Sequence, residues 1–404
     1  MKMLVAAPRP LYPAKTGLEI RVYYLLKPLC SKHDISLVCF SPSVDSYAID
    51  PELKKHFTKI ELVKPDTQGR KRSGLAGRVF EWFAPSEVPL GDIGASLNMR
   101  DKIRTLVDSG GYDLALIASP FMVNYFLGID SLPIVFDAID DTTLLFWRDI
   151  GLAKNILAKG RAFKDWLIIR QVEKKFYSRF KEIVISSPID AEAMSKFCPR
   201  STISVVPHGV DSAYFESHYP ESEEPTLIFS GVMNYGPNVL AALYFCDSIF
   251  PLIIKEFPRV KLLIVGRNPT AELKALEKNH PGIEVTGEVD DIRPYLGRAN
   301  VYVCPLVSGA GLKFKVLEAW ASNRAVVATS LSCDGIEVAP NEDILVADEP
   351  GQFAEAVIRF LRNPDLRRAM AAKGRAKVVR LYDWASKADQ LEKVLLRAAD
   401  TKKG

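Results

Sequence analysis

Apolar runs of strand length alternate with amphipathic segments of helix length from one end of the chain to the other. MLVAAP is followed by a Gly-containing loop, then by EIRVYYLLKPLCSKH and DISLVCFSP, which reads as strand, loop, helix, strand. DLALIAS, PIVFDAI, EIVISS and ISVVPHG come next, each bounded by polar or turn residues. Continuous apolar strands separated by helices predict parallel strands buried on both faces of a sheet. Between Leu144 and Arg179 lies a long basic and aromatic helical region. The alternation lapses at DSAYFESHYPESEEP, acidic and rich in Ser and Pro, so 211–225 reads as a linker. It restarts with TLIFSG, a helix from Asn238 to Phe257, KLLIVG, a helix from Thr270 to Asn279 and IEVTG. A short helix from Ile292 to Arg298, NVYVCPL, a helix from Leu312 to Ser322, RAVVAT and helices from Pro350 onward complete the order. The expectation is an α/β protein of two Rossmann-like halves.

Composition supports that division. A chain of 404 residues fits two domains, and 48% hydrophobic with 25% charged residues excludes a disordered, collagenous or coiled-coil chain. With 53 Lys and Arg against 49 Asp and Glu, the net charge is 53 − 49 = +4, too little for a generic nucleic-acid binder. The six Cys (Cys30, Cys39, Cys198, Cys246, Cys304, Cys333) form no C-x-x-C pair, and buried free thiols in a reducing compartment are expected. MKMLVAAPRP has no signal-peptide pattern. The apolar stretch Leu114–Ile129, broken by Ser119, Pro120 and Asn124, falls short of the ~20 residues of a spanning helix. A soluble, cytoplasmic protein is expected, with room for a peripheral membrane contact.

Candidate chemistry concentrates in NVYVCPLVSGAGLKFKVLEAWASNRAVVAT. A strand ends at Leu306, a turn holds Ser308, Gly309, Ala310 and Gly311, and a helix follows. Glycines there let the backbone approach a ligand, and the first free N–H groups and the dipole of the helix favour an anion such as a diphosphate. In a helix, Gly311, Lys315, Glu318 and Ser322 share one face, while Leu312, Val316, Ala319 and Trp320 can cover another. Lys315 can add a point charge to the phosphates, and Glu318 can accept hydrogen bonds from sugar or ribose hydroxyls. On spacing alone an equal alternative stands: Lys315 and Glu318 form a solvated i, i+3 pair and the glycines merely turn the chain. The dinucleotide fingerprint is absent, because the third glycine is lacking and the segment follows a late strand.

The same segment resembles the donor-binding loop and helix of retaining glycosyltransferases of the family 4 type (glycosyl transferases group 1), which carry K-x-x-E-A-x-A. FSGVMNYGPNVLAALYF is similar to the start of that family's C-terminal domain, with Gly231 in the turn after the first strand. LLIVGRNP, VTGEVDDIRPYL, VYVCPL and YDWASKADQLEKVL follow in the family's order. PRPLYPAKTGLEIRVYYLLKPLCSKHDISLV resembles its first loop and helix, with Gly17 and Arg21 in the expected places. VVPHGVDSAYF resembles the hinge, with His208 where Asn is more usual. Three departures stand out: the family's Glu eight residues before the helix Glu corresponds to Ala310, its Arg and Lys after Gly231 are replaced by VMNY, and its N-terminal His has no counterpart in ALIASPFM. Lys313 and Lys315 fit a branch with a basic residue two positions before the Lys.

The resemblance implies a glycosyltransferase B-type fold, two Rossmann-like domains facing a central cleft. It would comprise an acceptor domain at 1–210, the linker at 211–225, a donor domain at 226–380 and a C-terminal helix at 381–404 packing back on the first domain. It implies transfer of a sugar from a nucleotide diphosphate sugar to a glycan or lipid-linked acceptor, with retention of configuration, no cofactor and no metal. Lys313, Lys315 and Glu318 would be catalytic. Gly17, Gly231, Arg267, Asp290, Ile292, Gly309, Ala310, Gly311 and Leu312 would hold the nucleotide sugar, and Arg21 would position acceptor or phosphate. A nucleotide-sugar 2-epimerase of the same fold and a non-catalytic nucleotide-sugar-binding subunit are the alternatives.

Other constellations are weaker. Asp137, Asp140 and Asp141, and Asp290 with Asp291, follow strands, where helix-capping or loop-solvating Asp is commoner than a metal ligand. The five His show no metal-ligand spacing, and His208 reads first as a structural hinge residue. The basic stretch 146–181 reads either as a solvated helix with an apolar core face or as a surface for anionic lipid head groups.

Overall fold

The structure, a computed structural model, describes residues 1–41, 49–66, 96–152, 155–216, 219–309 and 312–400. They divide into two compact units, Met1–Pro207 with Ala385–Gly404, and His208–Trp384. In the first, β1 (Lys2–Ala7), β2 (Asp34–Phe40), β3 (Lys59–Val63), β4 (Leu114–Ile117), β5 (Ile134–Ile139), β6 (Glu182–Ile185) and β7 (Thr202–Val205) form one sheet. Its order is β3-β2-β1-β4-β5-β6-β7, with every neighbouring pair parallel. Helices α1 (Gly17–Leu29), α2 (Pro51–His56), α3 (Leu97–Gly110), α4 (Thr142–Leu152), α5 (Ile156–Tyr177) and α6 (Pro188–Ser195) accompany it.

The second unit repeats the plan. Its strands are β8 (Thr226–Ser230), β9 (Lys261–Val265), β10 (Ile283–Gly287), β11 (Val301–Cys304), β12 (Ala325–Ala328) and β13 (Leu345–Val346). They lie parallel in the order β10-β9-β8-β11-β12-β13. Helices α7 (Gly236–Tyr244), α8 (Phe250–Glu256), α9 (Ala271–Asn279), α10 (Arg293–Arg298), α11 (Phe314–Ala321), α12 (Pro350–Arg362) and α13 (Pro364–Leu381) follow. The last helix, α14 (Trp384–Asp400), belongs from Ala385 onward to the first unit. Both sheets reverse their winding beside their first strand, between β1 and β4 and between β8 and β11. Such a switch point opens a crevice at the carboxyl ends of the strands.

The apolar runs behave as doubly covered strands should: β4, β6, β8, β11 and β12 are buried at every position. The six cysteines are free, five of them buried, and burial pushes the Cys39, Cys246 and Cys333 thiols up to about 12. Gly236–Glu256, in which a π turn joins α7 to α8, is long and apolar enough to cross a membrane by length and composition. It instead lays Ala241, Phe245, Ile249, Phe250 and Ile253 into the core of the second unit.

The boundary falls at Pro207–His208 rather than within 211–225. The described part of that acidic stretch is tied down on the second unit: Glu221 pairs with Arg324 at 3.3 Å and Arg367 at 2.6 Å, and Ser222 N–H donates to the Arg298 carbonyl at 2.8 Å. In the first unit, α14 buries Ala388, Leu391, Leu395 and Ala398 at helical spacing. Glu392 receives His33 at 2.6 Å and Lys32 at 2.8 Å, and Arg397 reaches Glu182 at 2.6 Å.

Helix α1 opens with a capping box, Thr16 accepting from the Glu19 N–H while Glu19 accepts from the Thr16 N–H. One turn on, Arg21 is fully buried; its Nε and Nη2 donate to Asp137 at 2.9 and 3.2 Å, and Nη1 donates to the Val206 carbonyl at 2.9 Å. Arg21 therefore faces an internal carboxylate of β5, not solvent, and its geometry is that of a brace between α1, β5 and the end of β7. Truncating one partner of such a pair strands a buried charge and costs about 3–5 kcal/mol. Arg21→Met should lower the urea midpoint accordingly, and Asp137→Leu added to it should recover much of the loss; an Arg21→Met protein as stable as the parent would contradict the assignment.

Candidate active site at the switch point of the second unit

The carboxyl ends of β8 and β9 each turn on a glycine with positive φ, Gly231 and Gly266, both at 152°. A Cβ on Gly266 would stand 1.7 Å from the Gly231 carbonyl oxygen, and one on Gly231 would meet Asn238 Nδ2 at 2.6 Å and Lys315 Nζ at 3.1 Å. Only glycine permits this approach. Gly231 N–H donates to the Val265 carbonyl and Met233 N–H to that of Arg267, so the two turns are locked together.

Against this floor stands α11. Its inner face carries Val316, Leu317, Ala319 and Trp320, all buried completely, with Leu312 just before it also in the core. Trp320 Nε1 donates to the Asp343 carbonyl at 3.1 Å. In α13, Gly374 leaves the room that Trp320 occupies, since a Cβ there would lie 2.4 Å from the indole. The helix is thereby fixed, and with it the half-buried side chains of Lys315 and Glu318 on its other face.

Those two do not pair. Lys315 Nζ donates to Asn238 Oδ1 at 2.6 Å and lies 4.4 Å above the Phe229 ring centre, and Asn238 Nδ2 donates to the Val232 carbonyl at 3.0 Å. The Glu318 carboxylate has no hydrogen-bond partner among the described residues. The solvated i, i+3 pair is thus excluded. Burial, only partly opposed by Glu318 and Cys304, lowers the Lys315 ammonium to about 8. Burial likewise raises the Glu318 carboxyl to about 7, against the pull of Lys315. Cys304, at the end of β11, is pushed up by burial. Ser230 and Tyr302 join β8 to β11 here, their hydroxyls 2.8 Å apart.

The other expected residues distribute as follows. Arg267 succeeds Gly266; its Nε is shielded from solvent and its guanidinium has no hydrogen-bond partner among the described residues. Lys313 is buried at the N-cap of α11. Gly309 has φ 128°, and a Cβ there would approach Lys313 Cε at 3.7 Å and Pro237 at 3.8 Å. Ala310 and Gly311 lie outside the described residues. Asp290, exposed, and Ile292, half-buried, follow the end of β10, while Asp291 between them is chelated by Arg293. Gly17 is exposed in the first turn of α1, in the other unit. His208 is buried and stacks on Phe314 with ring centres 4.0 Å apart, as a structural residue would. Asn238 is not among the expected residues; its only sequence signal is its place in the first turn of α7, seven residues after Gly231. Among the described residues no group of three or more His, Cys, Asp or Glu side chains is placed to hold a metal ion.

A search against protein families matches 224–363 to glycosyl transferases group 1. Residues 224–363 are thus similar to that family. Over 199 residues the chain is 30% identical to the phosphatidyl-myo-inositol mannosyltransferase of Mycolicibacterium smegmatis, spanning 47% of this chain and about half, 50%, of that relative. Among solved structures it is similar to a sucrose-phosphate synthase of Thermosynechococcus elongatus, with TM-score 0.74, 17% identity and coverage of 98% and 99% of the two chains. HepE of Anabaena, solved with UDP and glucose, superposes with TM-score 0.65 at 12% identity over 98% and 99% of the chains. The fold is the glycosyltransferase B type, two parallel-sheet α/β domains.

The crevice of the second unit depends on the contact between Gly231 and Gly266. Gly266→Ala forces the β8 and β9 turns apart and should cost at least about 2–3 kcal/mol. Urea unfolding followed by tryptophan fluorescence would reveal it; an unchanged midpoint would mean that the two turns are not in contact.

Proposed function

We propose that this glycosyltransferase moves a sugar from a nucleotide diphosphate sugar to the hydroxyl of a glycan or lipid-linked acceptor, with retention of configuration, in glycolipid or cell-envelope glycan synthesis at the cytoplasmic face of a membrane. The observation that carries the reading is the crevice between β8 and β11. Lys315 stands there, anchored by the neutral Asn238, and Arg267 follows the adjoining turn of β9; neither has a carboxylate hydrogen-bond partner among the described residues. A cation fixed by a neutral amide rather than by a carboxylate hydrogen bond, beside glycine turns and the N-terminus of α7, is placed to receive an anion of high charge density. A diphosphate fits that description. The UDP seen with the Anabaena neighbour and the mannosyl transfer named for the mycobacterial relative support it.

The chemistry then follows. As the bond from the anomeric carbon to the diphosphate oxygen breaks, the electron pair leaves with the phosphate. Lys315, Arg267 and Lys313 stabilise that growing charge, the main electrostatic demand of the step. Asp290 and Ile292 border the nucleotide, and Gly309 and Leu312 offer backbone to the phosphates. The acceptor hydroxyl attacks the same face of the sugar, and its proton passes to the departing phosphate oxygen, so no protein base and no metal enters the scheme. Glu318, held near neutrality in its titration, accepts a hydrogen bond from a ribose or sugar hydroxyl when ionised.

Incubation with a panel of labelled nucleotide sugars, with and without a lipid extract, tests this. Slow donor hydrolysis or transfer is expected, and Lys315→Ala should lower kcat/KM by roughly 10²–10³. Because Lys315 loses its proton as pH rises through about 8, nucleoside diphosphate affinity should fall above that pH in the parent and stay flat in Lys315→Met. Interconversion of free nucleotide sugars, or unchanged donor affinity in Lys315→Ala, would overturn the reading.

A further inference from the structure

A pocket of the first unit begins where β5 ends. The chain leaves that strand through Ile139 at φ 68°, a conformation that a β-branched residue rarely holds. Ser186 fixes the turn, its N–H donating to the Ile139 carbonyl and its Oγ to Asp140, both at 2.8 Å. Asp141, completely buried, then opens α4, its Oδ1 accepting from the Leu144 N–H at 2.7 Å. Its Oδ2 is also shielded from solvent and accepts no hydrogen bond among the described residues. Capping needs neither that second oxygen nor the charge, since Asn caps a helix as well as Asp does. The charge is unfavourable there: burial first, then Asp190 and Asp140, hold the carboxyl above its usual range. A buried polar atom that the fold does not use calls for a partner from outside it.

Asp141 lines a pocket of about 410 Å³, a volume that suits a small molecule. Trp147 of α4 and Trp166 of α5 form its apolar wall, their ring centres 5.1 Å apart and their planes inclined at 52°. Arg170 lines it as well, and so does Lys196, which pairs with Glu192 at 3.3 Å. Two ligand chemistries suit indoles beside a carboxylate: a quaternary ammonium and a hydroxylated ring. The first needs an indole face free for its cation. Here the Arg170 guanidinium already lies 5.3 Å from the Trp166 ring centre, and Lys196 adds a second positive charge. A sugar ring meets every feature instead. Its C–H face packs on an indole, and its hydroxyls donate to a carboxylate and accept from guanidinium or ammonium N–H groups.

We propose that this pocket is a carbohydrate subsite of the first unit, in which a sugar ring of the acceptor lies against Trp147 and Trp166 with a hydroxyl on Asp141. That the ring belongs to an acceptor rests on the function proposed above; that the pocket holds a sugar does not. Saturation-transfer NMR on the full chain tests it. The probes are the methyl α-glycosides of glucose, mannose and galactose, with tetramethylammonium as the cationic control. At least one glycoside should bind saturably, and tetramethylammonium should not. Asp141→Asn and Trp147→Ala should each weaken glycoside binding by roughly tenfold. Trp147 is 54% exposed, so its removal leaves the core in place. The unfolding midpoint of Asp141→Asn should not fall, because the cap is kept and a buried charge is lost. A clear fall would make the carboxylate structural and overturn the proposal. Binding of tetramethylammonium alone, binding of no glycoside, or parental affinity in either variant would overturn it too. UDP as a second probe separates the two sites: a chain that binds a glycoside but not UDP loses the donor reading and keeps this one, and a chain that binds UDP but no glycoside does the reverse.

Discussion

The second unit depends on one contact, the abutment of Gly231 and Gly266 at the carboxyl ends of β8 and β9. Two parallel strands that end in ordinary residues keep their turns apart by the width of a Cβ. Here that width is missing, and the Gly231 carbonyl stands where a side chain of Gly266 would be. The turns can therefore lie flat, and α11 can bring Lys315 to within 3.1 Å of where a Gly231 Cβ would stand. A crevice at a switch point is a property of the topology. A crevice with a backbone floor and a cation poised over it is a property of these two residues.

The electrostatics follow from who holds Lys315. Were Glu318 its partner, the pair would be neutral and the crevice would offer little to an anion. Asn238 holds it instead, a neutral amide that fixes the ammonium without cancelling its charge. The positive charge is retained at a cost in desolvation, visible as the lowered titration of Lys315 and the raised titration of Glu318. A dianionic ligand would relieve that cost for Lys315, which is why a site of this kind is more stable filled than empty.

Much of this is written in the chain in a form that periodicity can read. The apolar runs MLVAAP, TLIFSG and VYVCPL announce doubly covered parallel strands, and the Leu312, Val316, Ala319, Trp320 stripe identifies the buried face of α11 correctly. What escapes is whatever depends on a partner distant in sequence. Arg21 looks available to a substrate until Asp137, 116 residues away, claims its guanidinium. The stretch 211–225 looks like a linker because it is acidic, yet Glu221 uses that acidity to bind Arg324 and Arg367. Asn238 carries no motif of its own, and its role appears only when Lys315 arrives from 77 residues away. In α5 the spacing shows two faces but not which of them turns inward. That is decided by Glu173, whose carboxylate is drawn in by the N–H groups opening α4.

The most direct test of the account is a structure of the chain with a nucleoside diphosphate. The diphosphate should lie at the carboxyl ends of β8 and β11, with phosphate oxygens in hydrogen-bond reach of Lys315 Nζ and the Arg267 guanidinium. A nucleotide bound anywhere else, or one that leaves both of those cations without a phosphate contact, would contradict it.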